Sequence, residues 1–210
     1  FYAQGPQGDA NDASINTNIN PYTDRAYYYI NVSSGQGKRM QNLAQPTQAP
    51  SVSFTTYHDF QFHEVDDYNL VKVGRRWFGD RFGVENEKEF EFSFPNLVTS
   101  EPARVKIYLG AVSDVTTSMS VSLNSNSLTT MSLQGINNPV FASGNSFISD
   151  VNLTSEDLVF TFNYNNNGNP ASYGYLDYIP VEATRQLTFD NDQFFFKNND
   201  VVDLSGVAEY

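Results

Sequence analysis

Hydrophobic residues recur at every second position along most of the chain and hardly anywhere at helical spacing. Phe90, Phe92 and Phe94 alternate with Glu89, Glu91 and Ser93. Val105, Ile107 and Leu109 repeat the pattern, as do Met119, Val121 and Leu123, and then Leu158, Phe160 and Phe162. Earlier, Val52, Phe54 and Thr56 alternate with serine and threonine, and Phe60 and Phe62 flank Gln61. Successive strand side chains face opposite sides. The alternation therefore predicts half-buried strands, with Phe90, Phe92, Phe94, Val105, Ile107, Leu109, Phe160 and Phe162 directed into a common core. A β-rich run from Ala26 to Val32, after the turn signal Asn20-Pro21, predicts a further strand. Tyr173 to Val181 reads as a long one. Pro180 has no N–H to donate, so it belongs at a bulge or an unpaired edge. Between Phe162 and Tyr173 the tip Asn165 to Pro170 carries Asn167-Gly168, a pair suited to the positive φ of a tight turn.

Short strands separated by Gly, Asn and Pro predict an all-β fold, an antiparallel β-sandwich of jelly-roll type with long amino-terminal loops. Those loops are Gly5 to Asn20 and Gly35 to Pro50, both poor in strand-forming residues. Residues 1–50 then form an amino-terminal β segment with long loops and residues 51–210 the sandwich, together one compact unit. No repeat of solenoid or propeller length is visible. The chain opens on Phe1 inside strand-like text and stops at Tyr210 as another such stretch ends, which we read as a segment of a longer protein.

Composition sharpens this picture. Seventeen Phe and thirteen Tyr among 210 residues suit strands. Twenty-four acidic residues against twelve basic give a net charge of -12, which argues against nucleic acid as a partner and serves solubility. With no cysteine, the chain has neither a thiol nucleophile nor a disulfide framework. No apolar run approaches the ~20 residues of a transmembrane helix.

Candidate chemistry is sparse. His58 and His63 are the only histidines, and His63-Glu64 lacks the second histidine of a zinc-protease helix. No Gly-x-Ser-x-Gly elbow marks a serine nucleophile. Asp66-Asp67 and Asp190-Asn191-Asp192 offer oxygen ligands without the twelve-residue calcium loop, so solvated turns are the simpler account. The sequons at Asn31 and Asn152 carry no weight. Nothing calls for a catalytic residue, a metal or a cofactor. The densest cluster runs from His63 to Leu70 and on through Gly74 to Phe82. It holds the only Trp, Trp77, with Arg75, Arg76 and Arg81 beside Asp80. One reading is a contact surface formed by Arg75, Arg76, Trp77, Asp80 and Arg81, because Trp and Arg anchor interfaces. The other is structural: a buried Trp77, with Arg75 or Arg76 paired to Glu64, Asp66 or Asp80.

Phe1-Tyr2-Ala3-Gln4-Gly5-Pro6, then Asn20-Pro21-Tyr22-Thr23-Asp24 leading into Tyr27-Tyr28-Tyr29-Ile30, resembles the amino-terminal portion of PorU-type sortases. These are gingipain-like cysteine peptidases of the Bacteroidetes type IX secretion system. His63-Glu64-x-Asp66-x-x-Asn69-Leu70 and Gly74-Arg75-x-Trp77-Phe78-Gly79-Asp80-x-Phe82 follow in the order and spacing of that family. Beyond them, only the Gly174 to Tyr178 stretch adds to the likeness. The resemblance implies a cell-surface, outer-membrane location and a caspase-like domain elsewhere in the parent chain as the expected partner. An outer-membrane β-barrel protein and secreted cargo are the other expected contacts. The family's catalytic cysteine has no counterpart here, so no catalytic residue carries over. A carbohydrate-binding module is the competing expectation, since jelly-roll sandwiches commonly bind sugars through exposed aromatic rings.

Overall fold

The computed structural model describes residues 17–19, parts of 25–50, residues 51–72 and 76–188, residue 196, and the backbone of 208–209. The stretches Phe1 to Pro6 and Asn20 to Asp24 lie outside the described residues. Among the described residues eleven strands follow in chain order: β1 (Val52–Ser53), β2 (Thr56–Glu64), β3 (Arg81–Phe82), β4 (Glu87–Ser93), β5 (Ala103–Val112), β6 (Thr117–Leu123), β7 (Asn126–Leu133), β8 (Ser143–Val151), β9 (Asp157–Asn165), β10 (Tyr173–Gln186) and β11 (Ala208–Glu209). There is no helix among the described residues.

Two antiparallel sheets form a sandwich. The larger runs β2-β10-β5-β8, with β3 also paired to β10, and the smaller runs β4-β9-β6-β7. Apart from both, β1 and β11 make a short parallel pair. All eight core positions expected from alternation are buried between the sheets. In the smaller sheet Phe90 lies opposite Phe160, and Phe92 opposite Leu158. Edge-to-face rings, Phe90 on Phe162 at 5.4 Å and Phe92 on Phe160 at 5.7 Å, tie its phenylalanines together. The alternate residues point outward, so the outer face of this sheet is polar: Glu87, Glu89 and Glu91 beside Thr161, Asn163, Ser120 and Ser122. The expected tip between β9 and β10 turns at Asn167 and Gly168, with φ of 52° and 78°.

Two expectations need correction. Tyr27 to Val32 carries no strand, and Tyr29 shows 96% of its area. A β-rich sequence becomes a strand only beside a sheet edge, and none of the described strands pairs with it. Pro180 lies in a central strand rather than at an edge. It pairs with Phe62 of β2, while the β5 ladder passes over residues 179 and 180, so the missing donor falls where β10 and β5 share no pair.

Candidate functional site

The segment between β2 and β3 holds the cluster singled out in the sequence. Tyr68 and Phe78 close it with an antiparallel bridge. The amides of Asp67 and Tyr68 both donate to the Phe78 carbonyl, at 3.0 and 2.7 Å, and Phe78 N donates to Tyr68 O at 2.9 Å. Gly79 and Asp80 then bond to Leu176 of β10, so the segment is stitched to the larger sheet. Phe78, 5% exposed, is the anchor. Its ring lies against Tyr108 and Tyr175 and over Gly110, where a Cβ would come within 2.6 Å of it. Neighbouring residues of an extended segment point opposite ways. Trp77 accordingly faces out, 41% exposed, against the expectation that it is buried.

Arg75 and the Asp190 to Asp192 turn lie outside the described residues. Arg76 does meet a carboxyl group, but not one of those expected: its Nη1 stands 3.5 Å from Asp177 Oδ2, without hydrogen-bond geometry. Its guanidinium also lies 3.8 Å above the Tyr108 ring. The β10 ladder shifts register between Leu176 and Tyr178, and Asp177 is the extra residue of that bulge. This brings it to Glu64, which faces Tyr178 at the end of β2. One oxygen from each of Glu64, Asp66 and Asp177 lies within 4.8 Å of the others. Three such carboxyls cannot all ionise freely. Burial, with Glu64 and Asp66 adding to it against Arg76, pushes Asp177 up to about 8. Burial, then Glu64 and Asp67, pushes Asp66 up to about 6. The protonated form of Asp177 is thus favoured well above the usual carboxylate range, with the Arg76 guanidinium opposing that shift. Glu64 accepts three hydrogen bonds from residues 17 and 18: from Thr17 Oγ1 at 2.5 Å, Asn18 N at 2.5 Å and Asn18 Nδ2 at 2.8 Å.

Asp80, expected to hold an arginine, instead meets His63 Nε2 at 2.5 Å. That imidazole lies tilted against the Phe90 ring, with centroids 4.6 Å apart. Arg81 is exposed and sits between two rings, 5.0 Å from the centroid of Tyr173 and 5.8 Å from that of Tyr68. Thus Arg76, Trp77, Asp80 and Arg81 lie along one short stretch but do three separate jobs. Arg76 and Asp80 are tied inward, while Trp77 and Arg81 face solvent. Sequence reasoning missed Asp177 and Tyr173 as members, although both lie in the β10 run already read as a strand.

No protein-family model matches the sequence, and no curated protein matches it. Among solved structures, dimeric latent PorU from Porphyromonas gingivalis superposes with a TM-score of 0.60 at 18% identity, over 76% of this chain and 16% of that one. The sandwich fold is shared with a stretch of PorU. This chain spans about a sixth of PorU's length. Weaker similarities are to a CBM36-1 domain of a xylanase from the hindgut metagenome of Trinervitermes trinervoides and to a CBM36 module in complex with calcium and xylotriose. The first has a TM-score of 0.39 at 9% identity, over 59% of this chain and 96% of that one. The second scores 0.37 at 9% identity, over 61% and 99%.

Proposed function

We propose that this chain is a non-catalytic β-sandwich module of a larger, PorU-like cell-surface protein of the type IX secretion system. Its role in that protein is docking, through the face that carries Trp77 and Arg81. The parent is then a gingipain-like cysteine peptidase acting on carboxy-terminal secretion signals, and its caspase-like domain is the first partner. The carrying observation is the exposed Trp77 beside an anchored neighbour. The Tyr68–Phe78 bridge, the buried Phe78 ring and the bonds to Leu176 tie the chain around it to the larger sheet. A large aromatic side chain presented on a fixed frame is the usual anchor of an interface, because little ordering entropy remains to be lost on binding. The absence of cysteine in this chain means that a thiol nucleophile must come from elsewhere in the parent.

Trp77→Ala in the parent protein is the test. The reading expects normal accumulation of the variant with impaired cargo processing. Full processing by a variant that still folds would remove the support. Exposed Trp77 and Tyr68 also keep a second reading open, a carbohydrate-binding module. The polar outer face of the smaller sheet bears no exposed aromatic among the described residues, so on this reading Trp77 and Tyr68 would supply the stacking surface. A glycan array with the wild-type chain and Trp77→Ala separates the two.

A further inference from the structure

We propose that Tyr68, Arg81 and Tyr173 form a receptor for a carboxylate carried on an extended peptide segment, a specification of the docking face that rests on the reading above. The exposed Arg81 guanidinium lies within cation–π reach of two aromatic rings, Tyr173 at 5.0 Å and Tyr68 at 5.8 Å, which limit where it can sit. Gly83 makes this arrangement possible. A Cβ there would stand 2.9 Å from the Tyr173 ring, so only glycine lets that ring lie where it flanks Arg81.

What Arg81 lacks is an acid. Arg76, Arg104 and Arg185 each reach a carboxyl group, Asp177, Asp150 and Asp59 in turn. Among the described residues none lies within ion-pair distance of Arg81, although the chain has twenty-four acidic side chains to twelve basic ones. A planar guanidinium flanked by rings and without an ion-pair partner among the described residues matches a carboxylate, which accepts two parallel N–H bonds.

Three observations favour a peptide over an acidic sugar as the carrier. Among the described residues β3, which contains Arg81, pairs with β10 on one side and with no strand on the other, an edge where an extended chain can add. Val71 and Trp77, exposed on the adjoining segment, suit apolar side chains flanking the acid. The net charge of -12 repels a polyanionic chain but tolerates a single carboxylate.

The experiment titrates a capped Ser-Val-Glu-Val-Ser peptide into the whole chain, following the Arg81 Nε–H resonance and the fluorescence of Trp77, the sole tryptophan. A saturable shift at Arg81 is expected, lost when glutamine replaces the peptide's glutamate. Arg81→Lys keeps the charge but not the fork or the stacking, and should weaken binding about tenfold, the scale of one charge-assisted hydrogen bond. Gly83→Ala should weaken it through Tyr173 alone, in a chain whose melting shows it folded. Equal binding of the glutamine peptide, or equal affinity in Arg81→Lys, overturns the receptor. So does saturable binding of a trigalacturonate at Arg81 with none of the peptide. If Trp77→Ala impairs the parent while Arg81→Lys leaves both peptide binding and the parent unchanged, the receptor falls and the docking reading stands. If the peptide binds as described but Trp77→Ala leaves the parent unaffected, the docking reading falls instead.

Discussion

Replacing Phe78 by alanine should destabilise the chain far more than replacing Trp77, although tryptophan is the larger side chain. Phe78 is 5% exposed and packed over Gly110, so its removal leaves a cavity as well as losing transfer energy. Phe-to-Ala changes at such sites cost about 3–5 kcal/mol. Trp77 already shows 41% of its area, so truncation loses only the transfer term of the covered part and opens space that water fills. At roughly 25 cal/mol per Å², discounted for a compact unfolded chain, that is about 1–2 kcal/mol. In a chain of this size one kcal/mol moves the melting temperature by about 2–4 °C. Phe78→Ala should therefore melt about 6–20 °C below wild type and Trp77→Ala about 2–8 °C below it. Differential scanning calorimetry on the two variants under one buffer checks the order. A Trp77→Ala loss equal to or larger than that of Phe78→Ala would refute the bridge register that turns one ring in and the other out.

Asp177→Asn should show a gain in stability that depends on pH. The folded pKa of about 8 stands above the unfolded 3.8, so the unfolded chain releases this proton first. Wild-type stability then falls as pH rises from about 4 to about 8. The advantage of the Asp177→Asn variant in melting temperature should be smallest near pH 4 and level off above pH 8, and a difference that stays flat across this range would remove the argument. Gly79→Ala would put a Cβ 2.5 Å from the Val65 carbonyl oxygen, and should cost about 1–3 kcal/mol by unseating the segment. Chemical denaturation reads that loss directly, and a neutral result would mean that the backbone there yields. Asn18→Ala removes one of the three donors to Glu64 and should expose the amino-terminal segment to limited proteolysis; an unchanged cleavage pattern would show that this contact does not hold it.

Parity made the sandwich legible. Where one face of a strand is buried and the other solvated, as in β4, β5 and β9, alternation alone names the inward residues. The Asn167-Gly168 tip was legible for a similar reason, because few sequences tolerate two successive positive φ values. Parity failed wherever the local frame was not a regular strand. Trp77 and Phe78 are adjacent and both aromatic, and only the bridge to Tyr68 decides which turns inward. Asp177 reaches Arg76 because of a bulge, and a bulge leaves no mark in a run such as Tyr175-Leu176-Asp177-Tyr178. The Tyr27 to Val32 run has the composition of a strand, but composition does not supply the neighbouring edge that a strand needs.

Hydrogen–deuterium exchange, compared between the chain alone and the parent protein proposed for it, is the most direct measurement of the docking role. The account expects added protection in the parent across residues 68–81 and at Tyr173, with the outer face of the smaller sheet exchanging as it does in the isolated chain. Protection confined to that polar face, around Glu89, Thr161 and Ser122, with residues 68–81 unchanged, would contradict it.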